Sequence, residues 1–316
     1  MRRTVLSVIG IALLVAPALA AAHGPWQRDR VQTVSRAGIV NGQWIDTVIS
    51  IDRGGVVDLD LGAGEVVVTG WARNDVRLRA VSQTGNVSLR VTSVLATLRA
   101  VPGSRGRRGE VRYEVSVPSH VRVLVRTSAA DIIAKGVGGD FEVRTGSGDV
   151  QVSDNGGLVV AELMSGDFVG TRLSGGARIE AIAANVEIVG AAGEITIDNT
   201  AGSTTLSGVT SSSVAVESVS GDIRFDGSIE RGGRYRFTSH SGAVTLGVPQ
   251  GAGAVVSLAT HNGTVDTRLP ITLEPTPRGS PEKRLLGRIG DGTARIEVVT
   301  FSGNIDIRGV GREWED

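Results

Sequence analysis

Ser147-Gly148-Asp149-Val150-Gln151-Val152 is answered further along by Ser165-Gly166-Asp167-Phe168, and this recurrence decides the fold. Ala183-Ala184-Asn185-Val186 takes the same place when the interval from Ser147 to Ser165 is stepped off once more. Ser220-Gly221-Asp222-Ile223, Ser241-Gly242-Ala243-Val244, His261-Asn262-Gly263-Thr264-Val265 and Ser302-Gly303-Asn304-Ile305 continue the column. Half-way between lie Gly138-Gly139-Asp140-Phe141, Gly156-Gly157-Leu158, Gly175-Gly176-Ala177 and Ala192-Gly193-Glu194-Ile195. The unit is therefore about nine residues long, one short strand and one tight turn.

After each turn apolar and polar residues alternate. Val150 and Val152, Val186 and Ile188, Ile195 and Ile197, Ile223 and Phe225, Val244 and Leu246, and Ile305 and Ile307 are apolar. Gln151, Glu187, Thr196, Arg224, Thr245 and Asp306 between them are polar. Period two with one polar face describes a half-buried strand. Glycine supplies the positive-φ turn positions, and Ser, Asp or Asn caps the turn. One such strand cannot bury its face alone, whereas a stack can. The expected fold is all-β: a β-solenoid (β-helix-like stack) of these units. An antiparallel β-roll or sandwich is the alternative. The regular return of one residue type to one rung position favours the solenoid.

Working outward, the repeat domain is expected over 121–310, with 311–316 as a tail. Proline and glycine crowd 270–292, which reads as a long loop. Before the repeat, Trp44–Ile51, Val56–Leu61, Glu65–Val68, Asp75–Val81, Val87–Val91 and Val111–Val117 read as strands of an irregular N-terminal β cap over 23–120, covering the open end of the stack. The 316-residue chain has 44 Gly, 9 Pro, 41% hydrophobic residues and only 3% aromatics. That composition fits thin layers filled by Val, Ile, Leu and Ala. The absence of Cys excludes disulfides, thiolate metal sites and a Cys nucleophile.

Arg2 and Arg3, the apolar run Val5–Val15, Pro17 and the small residues Ala18-Leu19-Ala20-Ala21-Ala22 read as a signal peptide over 1–22. The chain is expected to be exported, to the periplasm or to the cell surface and beyond. No membrane span is expected after cleavage. Loss of Arg2 and Arg3 leaves a net charge of about −2, which argues against nucleic acid as partner. Arg105, Arg107 and Arg108 form a basic knot in a glycine-rich stretch, read as a solvated loop.

Candidate sites are weak. Asp149 and Asp167 fall one rung apart, about 5 Å, where two carboxylates repel unless they share a proton or a cation. A calcium-binding nonapeptide roll needs an Asp at the sixth position of the unit, and Val143 and Ala161 stand there. Turn capping is the better account. His240 and His261 precede two turns and should stack on neighbouring rungs, near Asp266, as a metal pair. Met164, Val219 and Phe301 share their column and mark it as a semi-buried bulky position. His23 at a new N-terminus is a remote copper ligand. No catalytic, cofactor or metal residue is assigned, and no cofactor is expected. A glycan lyase or hydrolase needs paired carboxylates and aromatic platforms. Glu187, Arg224, Asp266 and Asp306 face outward without forming a cluster.

Gly64-Glu65-Val66-Val67-Val68-Thr69-Gly70-Trp71 with Asp75-Val76, then Val115-Ser116-Val117-Pro118, the serial Ser-Gly-Asp turns, and Gly290-Asp291-Gly292-Thr293-Ala294-Arg295-Ile296-Glu297-Val298 before Ser302-Gly303-Asn304-Ile305 resemble the bacterial DUF4097 family of β-strand-repeat, adhesin-like proteins. The likeness spans roughly Val40 to Gly309. It implies an exported or envelope-associated β-repeat fold without a recognised catalytic motif. The chain departs from the pattern at Ala129-Ala130 and Ala183-Ala184, where the turn loses Ser-Gly. The expected function is a non-enzymatic, adhesin-like or structural module whose partner is a protein or glycan of the cell envelope. The alternative is a β-helix carbohydrate-active enzyme, which a deep groove gathering three or more carboxylates or basic residues from different rungs would favour.

Overall fold

The structure is a computed structural model that describes residues 32–34, 37–42, 44–82, 86–92, 95–101, 111–274 and 283–310. The signal segment, His23, the arginine knot and the tail lie outside the described residues. All regular structure among the described residues is β. No helix among them is long and apolar enough to cross a membrane, a statement that does not bear on β-barrels.

The solenoid is observed. Phe141–Thr145 pairs in parallel with Val123–Thr127 of the strand Arg122–Lys135 on one side and with Val159–Leu163 on the other. Val150–Asn155 pairs likewise with Ile132–Lys135 and Phe168–Leu173. Each strand thus bonds to the strand two units away, and two units make one rung with two sheet faces. The spacing of partners is constant through Phe168↔Val186 and Val186↔Thr204. It then lengthens by one at Thr204↔Ile223 and by two more at Ile223↔Val244, matching the uneven spacing of the later turns.

The alternation predicted from sequence holds. Val150, Val152, Val186, Ile188, Ile195, Ile197, Ile223, Phe225, Val244, Leu246, Ile305 and Ile307 are all buried, while Gln151, Glu187 and Arg224 are exposed. Each fully buried Val, Leu, Ile or Phe contributes about 1.5–3 kcal/mol. Phe225 anchors a small aromatic cluster, with ring centroids 5.3 Å from Phe237 and 5.9 Å from Tyr235. At the corner the rungs approach so closely that a Cβ on Gly166 would collide with the carbonyl of Gly148, and Gly166 has φ 103°. Glycine answers both demands.

Neither end of the stack follows chain order. Val56–Trp71, within the segment read as a cap, runs as a complete rung against Arg122–Lys135. Its other edge pairs with Leu95–Val101, a strand the sequence pattern does not reveal, and with Val111–Pro118. Antiparallel strands follow at this end: Asn86–Thr92 on Leu95–Val101 and Asp75–Ser82 on Val111–Pro118, with Ala37–Gly42 and Trp44–Ser50 outside them. At the other end, Ala294–Ser302 and Ile305–Val310 insert between the rung Arg234–Pro249 and the strands Ala254–Thr260 and Val265–Thr267. The segment read as a loop over 270–292 carries the strands Thr272–Leu273 and Lys283–Ile289. Lys283–Ile289 lies antiparallel on Ala254–Thr260 and caps the stack.

A candidate binding groove

The turn carboxylates have a structural task. The Asp149 backbone N–H donates to Asp131 Oδ1 at 3.0 Å, that of Asp167 to Asp149 Oδ1 at 2.9 Å, and that of Asn185 to Asp167 Oδ1 at 3.2 Å. The ladder continues from Ser203 to Asn185 Oδ1 at 3.0 Å and from Ala243 to Asp222 Oδ1 at 2.8 Å. Each Asp or Asn accepts the amide one rung ahead, so Asp149 and Asp167 act as turn caps. At Ala183-Ala184, where the turn lacks Ser-Gly, Asn185 keeps this bond.

His240 and His261 do not stack on each other. The inserted C-terminal strand places Phe301 between them, its ring 5.0 Å from His240 at 0° and 5.0 Å from His261 at 6°. Among the described residues, no group of three His, Asp or Glu is placed to hold a metal ion. Their column is also not semi-buried. Met164 is 62% exposed, Val219 53% and Phe301 47%. Chain order misleads a sequence reading here, because Phe301 lies far beyond His261 in the chain yet on the adjoining rung.

This exposed column forms one wall of a groove of about 1100 Å³. Eight rungs line it: Arg144-Thr145 on the first, with Thr145 in the middle position, and three consecutive residues on each of the others, Glu162-Leu163-Met164, Glu180-Ala181-Ile182, Asp198-Asn199-Thr200, Glu217-Ser218-Val219, Thr238-Ser239-His240, Val299-Thr300-Phe301 and Ala259-Thr260-His261. The middle residue of each points inward as the floor, and its two neighbours flank it as walls. At about 4.8 Å per strand the eight rungs span about 34 Å.

The floor is buried and largely polar, which a solenoid interior tolerates only with partners. Thr145 Oγ1 donates to the Ser147 carbonyl at 2.7 Å, Asn199 Nδ2 to those of Ala184 and Gly202 at 2.9 and 3.1 Å, and Thr260 Oγ1 to that of Gly303 at 3.0 Å. These bonds tie strand ends to turns. Asn199 Oδ1, Ser239 Oγ and Thr300 Oγ1 have no hydrogen-bond partner among the described residues.

The two walls differ in chemistry. On one, Arg144 pairs across a rung with Glu162 at 3.1 Å and along its own strand with Glu142 at 3.1 Å. The next three rungs carry Glu180, Asp198 and Glu217 in register, with no ion pair or hydrogen bond among the described residues. The facing wall holds Met164, Ile182, Thr200 and Val219, then the His240–Phe301–His261 stack. Five of the eight exposed large hydrophobics among the described residues line this groove: Met164, Ile182, Val219, Val299 and Phe301. Apolar surface gathered in one concave strip marks an interaction site more than scattered exposure does. A reading that follows the turns misses the acidic wall. The signal is present all the same: Glu162, Glu180 and Asp198 recur at the interval of the turn column, each two positions before a member of the facing wall.

A family model described as Toastrack DUF4097 matches residues 66–308. Its match begins inside Val56–Trp71, the strand that pairs along its length with Arg122–Lys135. No curated relative matches the sequence. Among solved structures, a candidate adhesin of Bacteroides fragilis aligns with TM-score 0.42 and 10% identity over 88% of this chain and 100% of its own. A candidate lipid binding protein of Parabacteroides distasonis aligns with TM-score 0.46 and 9% identity over 87% and 99%. A candidate cell adhesion protein of Clostridium sporogenes aligns with TM-score 0.24 and 10% identity over 87% and 100%.

Proposed function

The chain belongs to the Toastrack DUF4097 family, and from that premise we propose that it is an exported, non-enzymatic interaction module of the cell envelope that binds an extended partner along its groove. The observation that carries this reading is the pairing of two walls on the same rungs, one of unmatched carboxylates and one of exposed apolar and aromatic side chains. Isolated exposed residues need no explanation; a continuous two-sided strip does. Export rests on the N-terminal apolar segment read from sequence.

A second reading is favoured by one observation. The groove gathers Glu162, Glu180, Asp198 and Glu217 from four rungs, meeting in number the condition set for a glycan-active enzyme. Arrangement counts against it. Glycoside hydrolysis uses two carboxyl groups flanking the scissile bond, whereas these four stand in one row on one wall. The facing wall offers no acid.

The absence of Cys permits a clean test. An environment-sensitive dye is attached to Ile182→Cys in the groove and, separately, to Gln151→Cys on the other face. Envelope fractions of the producing cell should change the emission at position 182 and leave position 151 unaffected. Equal responses at both positions, or none, would remove the groove as the binding site. Release of reducing ends in the same incubations would support the enzyme reading.

A further inference from the structure

We infer that the occupant of the groove is an extended polypeptide segment of a partner protein in which basic and apolar side chains alternate. This rests on the groove being the binding site, and it names the partner's chemistry.

The charge pattern comes first. Where the chain neutralises this column itself, it does so by a cross-rung pair, Arg144 with Glu162. It supplies no such cation for Glu180, Asp198 or Glu217 among the described residues. Three carboxylates stacked about 4.8 Å apart repel one another. A row of cations relieves that repulsion. Polyanions (acidic glycans, nucleic acid, anionic lipid surfaces) increase it.

The second wall narrows the class. On the same rungs Ile182, Thr200 and Val219 face the carboxylates across a buried floor. Over the rungs of Glu180, Asp198 and Glu217 the occupant must therefore turn cations to one side and apolar groups to the other. An extended polypeptide does this by alternation, since successive side chains point to opposite faces. About ten residues at ~3.4 Å each fill the groove, whose length is about 34 Å. The strand repeat does not match the rung repeat, but Lys carries its charge on a flexible four-carbon stem and absorbs the difference. A ribbon of amino sugars related by a two-fold screw turns alternate amines to opposite edges. Half of them would meet the apolar wall. The rung strands are already paired on both edges beneath the groove, so recognition runs through side chains rather than an added strand. Beyond Glu217, where the acidic wall gives way to Thr238, Val299 and Ala259, the His240–Phe301–His261 stack offers a flat surface for an aromatic or aliphatic side chain.

The test is fluorescence anisotropy of the purified protein with a labelled ten-residue peptide of alternating Lys and Val. The comparison ligands are the same composition in block order, an alternating Glu and Val peptide, and a glucosamine hexamer. The alternating basic peptide should bind, and the binding should weaken as salt rises. The combined variant Glu180→Gln, Asp198→Asn, Glu217→Gln should lose at least tenfold in affinity. Ile182→Ser with Val219→Ser should lose several-fold. All five positions are at the surface, so melting curves of both variants should stay cooperative and verify the fold. Wild-type affinity in the carboxylate variant, equal binding of the block peptide, or binding of the glucosamine hexamer in place of the peptide overturns the inference. A response of the dye at position 182 to envelope material, with no peptide binding, overturns the peptide class and leaves the groove standing. Silence in both experiments overturns both.

Discussion

Arg172 donates two hydrogen bonds to the carboxylate of Asp154 one rung back, at 2.6 and 2.9 Å, and both residues occupy left-handed backbone, with φ 53° and 56°. Gly136, Gly190 and Gly208 hold the same conformation at the equivalent place on other rungs, with φ 68°, 69° and 62°. The bend recurs, and where the sequence offers no glycine a fork-shaped ion pair takes its place. Arg172→Gly should therefore cost little in melting temperature, while Arg172→Ala should lower it, because alanine keeps the steric penalty and loses the pair. The hydrogen bond from Arg172 holds the Asp154 carboxyl below the usual carboxylate range. The stabilisation it brings is thus present above the ordinary carboxylate pKa and fades as pH falls through the lowered one. A carboxyl NMR titration should show Asp154 returning to the ordinary range in Arg172→Gly.

Tyr113 is 1% exposed, and its hydroxyl has no hydrogen-bond partner among the described residues. Burial pushes its pKa up to about 12. The unfolded chain ionises near pH 10, so stability should be intact below that and fall between pH 10 and about 12. Tyr113→Phe should flatten this alkaline fall. It should also raise stability near neutrality by roughly 1 kcal/mol, through removal of an unpaired buried hydroxyl. Chemical denaturation at pH 8 and pH 11 measures both effects.

Gly166→Ala tests the tight corner. The added Cβ meets the Gly148 carbonyl and the residue must hold φ 103°, so the loss should exceed about 1 kcal/mol. Ile223→Asp and Val244→Asp test the interior. Both side chains are at most 1% exposed, and a charge there has no partner. Neither variant should give a cooperative melting transition. A native-like melt in either one would contradict the inside–outside assignment.

The groove carboxylates should oppose folding. Replacing Glu180, Asp198 and Glu217 together by their amides should raise the melting temperature at low salt, and the gain should shrink as salt screens the row. An unchanged or lowered melting temperature would mean that the row is not under repulsion.

Sequence shows the stack well and the groove poorly, and one physical reason covers both. Repetition at a fixed interval is a signal carried along the chain, so the inward Val150, Val186 and Ile223 and the capping Asp149 and Asp167 are legible from the chain alone. The groove is built by lateral neighbours. Glu180 and Asp198 form a wall only because their strands pair, and alternation by itself marks them as ordinary outward residues. Where partners are distant in sequence, legibility fails. Phe301 reads in sequence as one more member of a column, whereas it stands between His240 and His261. Leu95–Val101 does not stand out because its pairing partner, Val56–Trp71, reads as part of a separate cap.

The insertion of Ala294–Val310 between rungs made earlier in the chain has a consequence for the order in which the molecule is assembled. A chain delivered N-terminus first lays down Arg234–Pro249 and then Ala254–Thr260 with nothing to join them. That gap closes only when Ala294–Ser302 has arrived. The beginning obeys the same logic, since Val56–Trp71 waits for Arg122–Lys135. The rod cannot be finished by simple elongation, and neither end can be peeled away one rung at a time in chain order. Delivery of the last strand pair acts as the latch, and it locks in place the strands that carry His240, Phe301 and His261.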